Sequence, residues 1–178
     1  MSLRKIITVP ANVLREKAHP IEHIDADVIA TLKDMAETMY DAPGVGLADN
    51  QIGLLRRMVV VDTTWREEED KAKRNPLMLI NPEVIWASEE RSVWNEGCLS
   101  IPQQYAEVER PARVRVKYQT IEGKTAEVEG EGLLSHCLQH EIDHLNGVLF
   151  IDYLSTLKRN IILRKVKKLL RDDEAEVM

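Results

Sequence analysis

In the segment His140-Glu141-Ile142-Asp143-His144, two imidazoles stand four residues apart with a carboxylate directly after the first. On a helix this HExxH spacing sets both rings on one face with Glu141 beside them, so that the pair clamps a divalent ion and the acid serves as general base. Two histidines leave a catalytic metal one protein ligand short. The extended metzincin pattern needs a third histidine where Phe150 stands, and the stretch from Leu145 to Asp172 holds no Glu that a gluzincin would use. His136 lies eight residues before His144, about 12 Å along a helix axis, too far for one ion whose bonds are about 2 Å long. Cys98, in the glycine-flanked, loop-like segment Glu96-Gly97-Cys98, is the better third ligand, because Cys with two His and an open position is known chemistry for a catalytic metal. A rival reading makes Cys98 a covalent nucleophile with His140 as its base. Ligation instead consumes the thiolate and leaves water to attack, with Glu141 taking a proton from a water that the ion has made acidic.

The periodicity predicts a helix over about 132–145, with Leu134, Leu138, Ile142 and Leu145 on one flank. His136, His140 and His144 fall within about 80° of one another on the other flank, and Asn146-Gly147 supplies a left-handed cap. An earlier amphipathic helix is expected over about 26–41, after Asp25 as its cap, with Val28, Ile29, Leu32, Met35, Ala36 and Met39 recurring at helical spacing. Between Pro43 and Gly53, three glycines in ten residues read as a shaped loop where backbone approaches a partner closely. Short strands are expected at 57–62, 77–81 and 113–119, the last turning at Glu122-Gly123-Lys124 into a partner through Ala126 and Val128. Residues 64–76 read as an exposed insertion loop, and a last helix is expected over 153–171, with Leu157, Ile161, Leu169 and Leu170 inward and a tail, 172–178, that frays. The fold class is therefore α+β, with mostly antiparallel short strands around the HExxH helix and all 178 residues in one domain.

Composition narrows the classes of function. The net charge of −6 argues against a broad nucleic-acid surface, so no DNA partner is expected. No run of 18 apolar residues occurs, so neither a spanning helix nor a membrane partner is expected, and the location reads as cytoplasmic. With two cysteines a disulfide framework is not expected, and Cys137, among Leu133, Leu134 and Leu138, reads as a small core residue.

Three segments together resemble the bacterial-type peptide deformylases over approximately residues 4–170: Gly44-Val45-Gly46-Leu47-Ala48-Asp49-Asn50-Gln51, Glu96-Gly97-Cys98-Leu99-Ser100, and Gln139-His140-Glu141-Ile142-Asp143-His144. The resemblance implies hydrolysis of the N-formyl group from the formyl-methionine of a nascent peptide, releasing formate and a free amine. It implies one metal ion on Cys98, His140 and His144, with Fe(II) as the physiological form and zinc, nickel or cobalt able to take the same ligands. It gives the Gln51 side chain and the Leu99 backbone N–H the task of stabilising the carbonyl oxygen as charge develops on it. Gly44, Val45, Gly46, Glu96, Gly97, Leu133 and His136 would line the substrate groove, and Glu96 would pair with Arg110 to hold the Cys98 loop. The basic C-terminal helix, with Lys158, Arg159, Arg164, Lys165, Lys167, Lys168 and Arg171, is either a solvated face or a ribosome contact.

Two residues depart from the family's usual pattern. Asp49 stands where Ala is common; turned inward it would bring a costly charge to the site, turned outward it would cost little. By the resemblance His136 would occupy the wall of the methionine pocket, usually apolar, where it would narrow or polarise the pocket, so replacement by Leu or Ile is expected to improve turnover of formyl-Met peptides. The alternatives to the main reading are a general zinc peptidase, a deformylase-like enzyme with altered acyl or N-terminal residue specificity, and a metal-stabilised ribosome-binding module without catalysis.

Overall fold

The computed structural model describes residues 2–177. The first helix, α1 (Ala26–Asp41), starts where its cap requires: the Asp25 side chain accepts from the Val28 N–H at 2.9 Å. Its apolar stripe, Val28, Leu32, Met35 and Met39, is buried along its length. A five-stranded antiparallel sheet follows, ordered β1 (Gly46–Ala48), β2 (Met58–Val61), β3 (Leu77–Ala87), β6 (Arg113–Gln119) and β7 (Thr125–Glu131). The run Met58-Val59-Val60-Val61 has no polar alternation because both faces of β2 are covered. Met58 and Val60 pack with α1, and Val59 and Val61 with α2 (Leu133–Leu145). Against that second face α2 lays Cys137, Leu138, Ile142 and Leu145, each aliphatic side chain contributing roughly 1.5–3 kcal/mol by its burial.

A long hairpin was not expected from the sequence. Residues Arg91–Cys98 form β4 and Ile101–Pro111 form β5, a long hairpin that pairs as its own two-stranded sheet. Cys98 is thus the last residue of a strand rather than part of a free loop. Likewise β3 runs to Ala87, well past the expected 81, and the glycine-rich stretch is a short strand followed by a single 3-10 turn, Asp49–Ile52.

The hairpin and the last helix, α3 (Thr156–Val177), close a separate apolar layer with Val9, Leu14, Ile101, Val108, Phe150 and Ile151. Helix α3 begins later than expected and continues through the supposed tail to Val177, with Met178 outside the described residues. Its buried face is Ile162 and Val166 with Leu170 partly covered, a four-residue spacing, whereas Leu157 is 67% exposed and Ile161 is exposed as well. The apolar letters of α3 exceed what one narrow stripe can bury.

The C-terminus of α2 is held on every side. Gly147 adopts φ +74°, and a Cβ there would collide with the Arg15 backbone, so only glycine fits this left-handed cap. The freed carbonyls find donors: Asn50 Nδ2 reaches the His144 oxygen at 2.6 Å, and the Leu145 oxygen accepts from the Ala18 N–H and from Arg57. These bonds pin the helix that carries HExxH to the glycine-rich segment.

Candidate metal centre

Helix α2 and strand β4 meet through their side chains. His136 meets both Ser92 and Glu96, His140 meets the same Glu96, and His144 meets Cys98. Ser92 Oγ lies 2.9 Å from His136 Nε2, Glu96 accepts from Nδ1 of both His136 and His140, and Cys98 Sγ lies 3.3 Å from His144 Nε2. The histidine stripe and the Ser-x-Trp-x-Glu-x-Cys alternation are the two halves of one site.

Ligand atoms of Cys98, His140 and His144 all lie within 4.8 Å of one another. Ligands on a single tetrahedral ion stand about 3.5 Å apart, so the set needs little adjustment to hold one. With its Nδ1–H given to Glu96 at 3.0 Å, His140 has Nε2 left for ligation. Burial and the adjacent His140 charge keep the His144 ring well below its usual pKa, hence neutral, the form that binds metal. These donors fit a divalent ion.

Beside them, Glu141 is buried, and its Oε1 makes no hydrogen bond. Burial pushes its carboxyl up to about 7, with the His140 charge opposing and the Glu96 charge assisting. A cation bound next to it would draw that value down. Gly46 permits this arrangement, because a Cβ on it would strike the Glu141 carboxylate and the Cys137 sulfur. Gln51 is buried with its Oε1 taken by the Ala48 N–H, which aims Nε2 at Ser100 Oγ (3.0 Å) and Cys98 Sγ (3.5 Å).

A groove of about 640 Å³ opens above these groups. Gly44, Val45, Gly46, Gln51, Glu96, Gly97, Cys98, Leu99, Leu133, His136, His140 and Glu141 all line it, while His144 and Arg110 stand behind it. Arg110 meets Glu96 in a two-pronged pair, Nε to Oε2 at 2.7 Å and Nη2 to Oε1 at 3.0 Å, and also reaches Asp143 at 2.8 Å. Asp49 is fully buried, yet it turns away from the groove: its Oδ2 accepts from the Arg56 backbone N–H and faces the Arg56 guanidinium at 3.4 Å. Cys137 is a core residue, and burial raises its thiol well above the ordinary range.

Several participants were not singled out from the sequence. Ser92, Ser100, Asp143 and Asn50 each bond a group of the site. Period-two spacing back from Cys98 would have found Ser92, once β4 was recognised as a strand. Trp65, from the insertion loop, donates its indole N–H to the Gly44 oxygen at 2.8 Å and lies against Tyr40 and Arg74, which fastens that loop to the groove wall.

A sequence model of the polypeptide deformylase family matches residues 3–160. A Rhizobium meliloti peptide deformylase is 56% identical over 168 residues, 94% of each chain. One from Bartonella henselae is 52% identical over 176 residues, 99% of this chain and 98% of that one. Among solved structures, a peptide deformylase from Legionella pneumophila superposes with a TM-score of 0.90 at 43% identity, covering 97% of this chain and 98% of the other.

Proposed function

From the premise that the chain belongs to the polypeptide deformylase family and removes the N-formyl group from nascent peptides, we propose how its residues divide the work. Cys98, His140 and His144 hold the metal, and Glu141 is the general base and acid. The observation that carries this assignment is the convergence of three ligand atoms beside a buried carboxylate that has a free oxygen.

When bound on the three ligands, a divalent ion would supply Lewis-acid polarisation of the formyl group and a water acidic enough to lose its proton near neutral pH. Glu141 accepts that proton as the water oxygen adds to the formyl carbon. Gln51 Nε2 and the Leu99 N–H donate to the carbonyl oxygen as it gains charge. Glu141 then returns the proton to the amine as the C–N bond breaks, giving formate and a free N-terminus. The backbone of Gly44, Val45 and Gly46 on one side and of Glu96 and Gly97 on the other receives the peptide, and Leu133 and His136 flank its first side chain. The proposed metal in the cell is Fe(II), with zinc, nickel or cobalt able to occupy the same ligands, and the proposed location is the cytoplasm.

The test is formate release from a formyl-Met tripeptide by anaerobically prepared Fe(II) protein. Gln51→Ala is expected to lower kcat by about 10²–10³ with little change in KM. No formate at saturating substrate from intact, metal-loaded protein would defeat the reading.

We also propose that α3 meets the ribosome through Lys158, Arg164, Lys165, Lys167 and Lys168, all exposed. Co-sedimentation with ribosomes should then weaken steeply as salt rises, and reversing three of these charges should abolish it. Equal pelleting by the charge-reversed variant would leave α3 a solvated face.

A further inference from the structure

His136 has no part in the scheme above beyond standing on the groove wall, yet its ring is among the most committed in the molecule. It is 1% exposed, and both nitrogens are taken. Nδ1–H donates to Glu96 Oε2 at 2.9 Å, and Nε2 pairs with Ser92 Oγ at 2.9 Å. Glu96 in turn is saturated: Oε2 receives Arg110 Nε and His136, and Oε1 receives Arg110 Nη2 and His140. Two donors on each oxygen fix the plane of the carboxylate. Take away the His136 donor and only Arg110 remains on Oε2, so the carboxylate is free to rotate toward the guanidinium and away from His140. The His140 ring is held by that same Oε1, so its tilt depends on where Glu96 sits.

We propose that His136 is a positioning residue, the end of a chain Ser92–His136–Glu96–His140 that sets the angle at which His140 presents its ligating nitrogen. The inference rests on the reading that Cys98, His140 and His144 bind a metal. It changes the expectation for this position. A leucine at 136 makes the wall more apolar and also removes a donor from Glu96, and the second effect governs, so the change impairs the site instead of improving it.

Four single variants separate the positioning role from a packing role. His136→Leu removes both bonds. His136→Asn places an amide N–H where Nδ1–H was, restoring the bond to Glu96 alone. His136→Gln places its amide near Nε2, restoring the bond to Ser92 alone. Ser92→Ala removes the far end of the chain. Each is titrated with Co(II) against a chelator, and the visible absorption of the bound Co(II), which reports its ligand geometry, is recorded along with kcat and KM.

His136→Leu and His136→Gln are expected to lose about tenfold in Co(II) affinity, at the low end for a residue that orients a ligand. Their Co(II) spectra should shift and kcat fall more than KM rises. His136→Asn should keep both affinity and spectrum close to the parent, with Ser92→Ala between. Unchanged Co(II) affinity and spectrum in His136→Leu would overturn the proposal and leave His136 a wall of the pocket that acts through KM. Equal losses in Leu, Asn and Gln would overturn it too, since packing alone would explain them. A parent that takes up no Co(II) defeats the metal reading itself, a result distinct from the other two.

Discussion

Glu141→Gln is expected to lower kcat/KM for a formyl-Met peptide by about 10³ or more, within the range a positioned general base contributes, while metal content stays at the parent level. Gln keeps the shape of the side chain and cannot take a proton. Full metal occupancy separates loss of the base from loss of a ligand. Wild-type kcat/KM in the fully loaded variant would remove Glu141 from the mechanism.

The same substitution carries a stability signature of opposite sign. Burial raises the Glu141 carboxyl from 4.5 to about 7, so the folded state binds a proton that the unfolded state releases between those values. Glu141 therefore contributes stability to the metal-free protein that is lost as pH rises through that window, on the order of 3 kcal/mol in all, while the depressed His144 ring contributes in the opposite sense. Glu141→Gln should remove the Glu141 contribution, so that the stability difference between variant and parent changes with pH. A urea melt series of the metal-free variant and parent between pH 4.5 and 7.5 decides it, and parallel curves would refute the account of the raised carboxyl.

Arg110→Met is the second large effect, expected to destabilise the fold by about 3–5 kcal/mol because it strands the Glu96 carboxylate in the interior. Both side chains of the pair are at most 5% exposed. Burial alone would push Glu96 up, but the bonds from His136, His140 and Arg110 hold it well below the ordinary carboxylate range. A depressed acid contributes stability that is present above its unfolded pKa and lost as pH falls below it. Acidification of the parent should thus bring steep unfolding, and Glu96→Gln should flatten that acid limb. A loss under 1 kcal/mol in Arg110→Met would show that the pair is not a keystone of the hairpin.

The HExxH helix was legible because its chemistry and its packing share one period: Leu138, Ile142 and Leu145 bury one flank while His140 and His144 hold the other. That Cys98 would stand with His140 and His144 was legible through the arithmetic of metal ligands, which needs no knowledge of the fold. The hairpin that delivers it was not. In β4 only Glu96 is fully buried, and Val93 and Trp94 are exposed, so hydrophobic alternation says nothing there. What alternates in β4 is function: Ser92, Glu96 and Cys98 face the helix. Helix α3 misled for the opposite reason, since Leu157 and Ile161 suit an inward stripe but stand on its open side. Asp49 was undecidable from its letter, because its place depends on Arg56, seven residues on, curling back to meet it.

That last contact bears on how this chain can change over time. Asp49 sits fully enclosed with its Oδ1 unpartnered, tolerated because Arg56 supplies both a backbone N–H and a guanidinium, which is shared with Asp27 at 2.9 Å. Replacing Arg56 first would strand a charge in the interior; replacing Asp49 by Ala first would leave only a partly exposed arginine with a second partner. The two positions therefore form a one-way path, in which the acid must leave before the base, and descendants that have lost Arg56 should already have lost Asp49.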